Sequence, residues 1–272
     1  MTKLGYDILP EGALGETVRV AHAIAEIANI APNTHQPYAG ISAFAHKAGL
    51  HASALRVSSE LYNHIDPTIV GNDMRVLITE MAGRASVELK GKELGYDLSG
   101  NIDLLTRVVD RVKALESKGW TFEAADASFE LLLLAEDGLQ RTFEVESWRT
   151  IVEQAPDGKV SSEATVKVHA SGERIISTAE GNGPVNALDR ALRGALAQLY
   201  PQLDALELID YKVRILDGVT GTDAVTRVLV GTSDGWGDWT TVGVHANVIA
   251  ASWRALEDAA IFGLIRAAKR NA

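Results

Sequence analysis

The chain has 272 residues, 46% hydrophobic, 23% charged and 6% aromatic, with 24 glycines, 7 prolines and a formal net charge of −10. These proportions fit one large or two small globular domains and exclude disordered, collagenous and coiled-coil classes. The absence of cysteine excludes disulfides, thiolate chemistry and cysteine-held zinc or iron–sulfur sites. The excess of 36 acidic over 26 basic residues argues against nucleic acid as a partner, because displacing counterions from a phosphate backbone needs a basic face. The longest apolar run, Leu131 to Ala135, is far too short for a membrane span, and the N-terminus lacks the basic head and apolar stretch of a secretory signal. A cytoplasmic protein without membrane contact is expected.

In chain order, Val20, Ile24 and Ile27 recur at helical spacing within a predicted helix from about Gly15 to Ile30, which ends before Ala31-Pro32-Asn33. The stretch from Pro32 to Asn72 has few periodic signals, with three of the seven histidines concentrated between His46 and His64, His51 among them, and reads as a long loop that is either functional or disordered. Helices are predicted over Met81 to Leu94, Ile102 to Ser117 and Ala124 to Glu136; the middle one carries Leu105, Val108, Val109, Val112 and Leu115 on one stripe. From about Thr142 the period becomes that of strands, and the sequence repeats itself at an offset of about 62 to 64 residues. Predicted strands at Phe143 to Val152, Glu163 to Ala170 and Arg174 to Ala179, with a helix at Pro184 to Leu199, match strands at Leu206 to Ile215, Ala224 to Thr232 and Trp239 to Val244, with a helix at Val248 to Ala268. The expected fold is α+β: helical linker subdomains over 1–75 and 76–140, then a pseudo-symmetric (βββα)×2 domain over 141–272. Such a domain leaves sheet surface uncovered, and a homodimer is the expected completion.

Two histidines five residues apart, His46 and His51, flank a glycine, with Tyr62 and His64 following; such imidazoles are either general acid–base groups or hydrogen-bonded structural residues. The spacing is not that of helical metal ligands, and no HxH or HxxE pair occurs, so no metal site is predicted in this chain. The turn Glu180-Gly181-Asn182-Gly183-Pro184 precedes a helix whose first-turn backbone N–H groups could face a ligand carboxylate; a plain strand-to-helix turn is the alternative. The matching point of the second repeat, Val244 to Asn247, lacks the glycines, so a ligand there would not be bound equally by both. Trp236, Trp239 and Trp253 are assigned to core and interface packing, and Leu131 to Leu134 to a buried helix.

The string FAHKAGLHASAL at 44–55, with NTHQPYAG before it and LYNHIDPTIVGN after it, resembles the post-barrel linker of (R)-citramalate synthases, in the family of 2-isopropylmalate and homocitrate synthases. The resemblance extends to LGYDILPEG at 4–12 and to SEATVKVHASGE, EGNGPVNALDRAL, DYKVRIL and WTTVGVHANVIAASWRAL in the repeat region, which resembles the family's C-terminal regulatory domain. Family members carry an N-terminal catalytic (β/α)₈ barrel of about 250 residues, and the helical first half here cannot supply it. The resemblance therefore implies a C-terminal half. Met1 stands where the family leaves its barrel, which suggests a truncated, split or engineered form.

By resemblance, the full enzyme condenses acetyl-CoA with pyruvate and water to (R)-citramalate and CoA in isoleucine biosynthesis, using a divalent metal held in the barrel. The linker residues implied to reach a barrel active site are His51, Tyr62 and, in support, His46, with His51 orienting or deprotonating a water near acetyl-CoA. The barrel would belong to the same or a separate chain. The regulatory domain implies a branched-chain amino-acid effector, isoleucine being expected, with Gly181, Asn182 and Gly183 as candidate contacts. A free-standing amino-acid sensor and a 2-isopropylmalate synthase fragment are the rival readings. Two departures from the family pattern, Gly83-Arg84-Ala85-Ser86 in place of a Gly-Arg-Ser-Asn element and Gly91 inside a helix, predict a loss of about 1 kcal/mol each in the middle subdomain.

Overall fold

The computed structural model describes residues 5–6, 9–30, 32–47, 49–79, 82–216 and 224–271. Met1, Leu4, Asp7, Ile8, Ala31, Ala48 and Met81, which enter the readings above, lie outside the described residues. The chain divides into two compact units, 1–113 and 114–272.

In the first unit, α1 (Thr17–Ala28) ends where Asn29 adopts a left-handed conformation at φ 53°, so the stop comes from this cap, ahead of Pro32. No residue of α1 is buried, and its apolar stripe of Val20, Ile24 and Ile27 faces solvent, Ile27 being 86% exposed. Amphipathic spacing predicted the helix but not a partner for it. The stretch 32–72, read as a loop, is more ordered than that reading. It contains β1 (Ala45–His46), α2 (Gly49–Val57) and 3₁₀ turns at Ser59–Leu61 and Pro67–Val70. Among the described side chains of α2 only Ala52 and Leu55 are fully buried, too few apolar positions to register as a period. β1 pairs in parallel with β2 (Arg75–Val76). α3 (Arg84–Glu93) and α4 (Ile102–Glu116) follow, α4 burying Leu104, Leu105, Val108, Val109 and Val112.

Gly91 of α3 has a packing role that its helix propensity conceals. A Cβ there would lie 2.3 Å from Cδ1 and 2.9 Å from Cγ of the buried Leu98. Gly91→Ala gains about 1 kcal/mol of propensity but overpacks this contact at a cost of about 1–3 kcal/mol. The expected net outcome is destabilisation, read as a lower urea midpoint; a raised midpoint would refute the packing role.

The second unit begins with the end of α4 and continues through α5 (Asp126–Glu136), β3 (Phe143–Gln154), β4 (Val160–Ala170), β5 (Glu173–Gly181), α6 (Pro184–Leu196), β6 (Glu207–Ile215), β7 (Thr226–Ser233), β8 (Asp238–His245) and α7 (Val248–Asn271). Its strands form two antiparallel sheets in the orders β3-β4-β5 and β6-β7-β8. Helix α6 packs on β4 and β5, and α7 on β7 and β8. The core joins both: Val166 and Val168 of β4, Leu188, Leu192 and Leu196 of α6, Val228 and Val230 of β7, and Trp253, Leu256 and Phe262 of α7 form one cluster. The mixed helix-and-strand class agrees with expectation, and no closed barrel of parallel strands forms among the described residues.

Two local features recur at an interval of 63 residues or close to it. The register slips between Val145 and Ser147 in β3 and between Leu208 and Asp210 in β6. Arg190 of α6 donates from Nη1 to the Glu180 carbonyl, and Arg254 of α7 donates from Nη1 to the Val244 carbonyl, each ten residues back. The edge strands expose apolar side chains, among them Ile151 and Val152 of β3 and Ile209, Val213 and Ile215 of β6. Trp239 and Trp253 are buried as expected, but Trp236 is 81% exposed. It sits in the β7–β8 turn with the Arg270 guanidinium 5.6 Å from its ring centre, so of the two placements read for it, core and interface, the core is ruled out.

Candidate functional site

The parallel bridge fixes His46 through its main chain: the Arg75 N–H donates to the Phe44 carbonyl (3.1 Å) and the Leu77 N–H to the His46 carbonyl (2.9 Å). Helix α2 then carries His51 in its first turn, held by burial of Ala52 one residue on. The chain returns past the Ser59–Leu61 turn with Tyr62, whose ring stacks on His51 at 4.0 Å between centres and 30° between planes. His46 meets His51 edge-on at 5.9 Å and 74°. The three candidate residues, scattered over 17 positions of sequence, therefore form one contiguous, partly exposed cluster.

Its surroundings are stitched by side chains. His46 Nε2 and Asn63 Oδ1 are 2.8 Å apart, and the Asn63 amide nitrogen lies 3.5 Å from the Met74 sulfur. His64 is stacked with Phe44 at 5.9 Å and tilted against Tyr38 at 5.5 Å. Asn72 donates to the carbonyls of Tyr38 (2.7 Å) and Gly40 (3.0 Å), closing the segment at its base. Gly71 turns at φ 71°, where a Cβ would lie 2.1 Å from the Gly15 carbonyl oxygen. Asp66 accepts from the hydroxyl and the backbone N–H of Thr68, which hold its carboxyl below the usual range. Asn63 and Met74 were missed in the sequence; the one available signal was an amide directly after Tyr62 in LYNHIDP.

Imidazoles and a phenol in contact can take, pass or give a proton. They do not make a cation cage: among the described residues no three His, Asp or Glu side chains are grouped to hold a metal ion.

In the second unit, Gly181 ends β5 where a Cβ would lie 2.5 Å from the Ala187 backbone nitrogen, so close strand-to-helix packing demands the glycine. The Asn182 N–H donates to Asn186 Oδ1 at 3.3 Å. Gly183 is extended at φ −172° and no side chain caps α6. The start of α7 differs: Asn247 Oδ1 accepts from the N–H groups of Ile249 (2.9 Å) and Ala250 (3.0 Å), and His245 Nδ1 accepts from Asn247 (2.8 Å).

A histidine-bearing helical segment precedes two antiparallel sheets, each packed against a helix and each exposing apolar side chains on an edge strand, which is a mixed helix-and-strand class of protein. The chain belongs to the LeuA allosteric (dimerisation) domain family, whose profile matches residues 123–262. A second profile, the homocitrate synthase post-HMGL domain-like family, matches residues 39–119, which include the ring cluster. Among similar proteins, an (R)-citramalate synthase of Streptomyces coelicolor is 65% identical over 97% of this chain and 50% of its own length. Those of Aquifex aeolicus and a Synechocystis strain are 42% and 43% identical over 97% and 96% of this chain, and over 50% and 49% of their own lengths. The chain spans about half the length of the curated relatives it matches. Among the described residues no helix is long and apolar enough to cross a membrane.

Proposed function

We propose that this chain is the linker and regulatory part of a cytoplasmic (R)-citramalate synthase, an acyltransferase of isoleucine biosynthesis, and is inactive without a barrel supplied by the same or another chain. In the reaction, the methyl carbon of acetyl-CoA loses a proton and bonds to the keto carbon of pyruvate. Water then cleaves the thioester, releasing citramalate and CoA. His51 orients or deprotonates that water, Tyr62 holds the His51 ring by stacking, and His46 supports its edge. The divalent metal of such an enzyme would be held by the barrel and would polarise the keto group of pyruvate there; among the described residues of this chain no three His, Asp or Glu side chains are grouped to hold it.

The observation that carries the reading is the stacking of His51 on Tyr62, within a chain similar to (R)-citramalate synthases over nearly all its length. The segments 1–75, 76–140 and 141–272 serve as linker, helical and regulatory parts. The shared bulge position and the shared arginine-to-carbonyl bond support pseudo-symmetry of the two βββα halves. A homodimer covers the open apolar edges of β3 and β6. Gly181, Asn182 and Gly183 face the effector, isoleucine, and the capped start of α7 does not bind it equally.

Alone, the chain is expected to release no CoA from acetyl-CoA and pyruvate; robust turnover would refute the proposal. Mixed with the half of the Streptomyces coelicolor relative that it does not cover, it is expected to support turnover, and His51→Ala to lower that rate by about 10²-fold or more. An undiminished rate would remove His51 from the chemistry. Calorimetry is expected to show isoleucine binding. Leucine binding in its place would favour a 2-isopropylmalate synthase, and binding without any restored turnover a free-standing sensor.

A further inference from the structure

The contacts around Asn63 carry a consequence for the tautomer of His46. A thioether sulfur bears no proton, so the group of the Asn63 carboxamide that can favourably face Met74 is the NH₂, and the oxygen must then face His46. That oxygen only accepts. His46 Nε2, 2.8 Å away, must therefore carry the proton, and in the neutral ring the lone pair falls on Nδ1. The ring so fixed presents its contact to His51 at 5.9 Å, and Asn63 adjoins Tyr62, whose ring holds the other side of the contact with His51.

We propose that Asn63 is a positioning residue of the linker site: its carboxamide, oriented by the Met74 sulfur, locks His46 as the Nε2–H tautomer and so sets the ring against which His51 rests. The proposal rests on reading His51 and Tyr62 as the site, and acts on it through His46 rather than by touching substrate.

Long-range ¹H–¹⁵N correlation spectra of the ¹⁵N-labelled chain, recorded above the titration range of the imidazoles, read the tautomer directly. His46 is expected predominantly as Nε2–H, with Nδ1–H a minor form. In Asn63→Leu the Nδ1–H form is expected to rise by about fivefold, the ratio that a hydrogen bond of about 1 kcal/mol sustains. Asn63→Asp, whose carboxylate also only accepts, is expected to restore the original tautomer. Met74→Leu frees the amide to rotate and is expected to shift the ratio in the same direction as Asn63→Leu, which keeps the test decisive should Asn63→Leu not fold. A dominant Nδ1–H form in the unmodified chain, or an unchanged ratio in whichever of the two leucine variants fold, overturns the proposal. The His51→Ala rate separates the two levels. A locked His46 with undiminished His51→Ala turnover defeats the catalytic reading alone, and an unlocked His46 with lost turnover defeats only the role of Asn63.

Discussion

Gly243→Ala is expected to destabilise the second unit by about 3 kcal/mol or more, among the largest effects of any single methyl group in this protein. Gly243 lies in the middle of β8 under α7, and a Cβ there would fall 2.0 Å from the Ala251 carbonyl oxygen and 2.9 Å from the Ala255 backbone nitrogen. Both obstacles are backbone of a 24-residue helix, so no rotamer relieves the clash and α7 must lift as a body. Lifting it strains the bond from the Thr241 hydroxyl to the Ala255 carbonyl (2.7 Å) and opens the packing of Trp253 and Leu256. Gly194→Ala in α6 is the control. There the obstacle is the Ser177 hydroxyl at 2.9 Å, which can rotate away, and the gain in helix propensity of about 1 kcal/mol makes the change neutral or mildly stabilising. Thermal unfolding of both variants checks this, and equal midpoints would refute the packing account of Gly243.

Asp258→Asn is expected to abolish much of the pH dependence of stability in the same unit. The Asp258 carboxyl on α7 is half-buried and sits beside Glu257; lost hydration and that neighbour together push it up to about 7 against the partial relief of Arg141, Arg254 and a hydrogen bond from Ser128. Burial pushes Glu257 up as well, despite its ion pair with Arg141. Ser128 of α5 in turn accepts the Val242 N–H of β8 at 2.9 Å, so the carboxyl stands where three elements meet. The folded chain keeps the Asp258 proton to higher pH than the unfolded chain does. Stability from this group is therefore complete below about pH 4, where Asp ionises when unfolded, and is lost as pH rises through about 7. Relative to Asp258→Asn, the unmodified chain is expected to lose a few kcal/mol, about 1.4 per unit of pKa shift, between about pH 4 and pH 8. A stability gap that stays constant with pH, or widens toward acid, would refute the assignment.

The second unit was largely legible in the chain because antiparallel strands write themselves at a period of two and their helices at a period near four. Phe143 and Pro184 begin their elements where the pattern places them. The first unit was less legible. Short α2 buries only Ala52 and Leu55 among its described side chains, and β1 and β2 are two residues each, below the length at which any period shows. The candidate site was legible as residue types, through His46, His51 and Tyr62, but not as an arrangement.

The order of local periods, glycines and prolines determined the element types and the gathering of imidazoles between His46 and His64, because these depend on neighbours a few residues apart. Tertiary structure alone decided that Tyr62 stacks on His51, that Asn63 turns its oxygen to His46, that Gly91 and Gly243 make room for Leu98 and α7, and that the α1 stripe lies open. Each of these depends on atoms brought together across the chain, where distances of a few tenths of an ångström separate a contact from a clash. No period along the sequence records such distances.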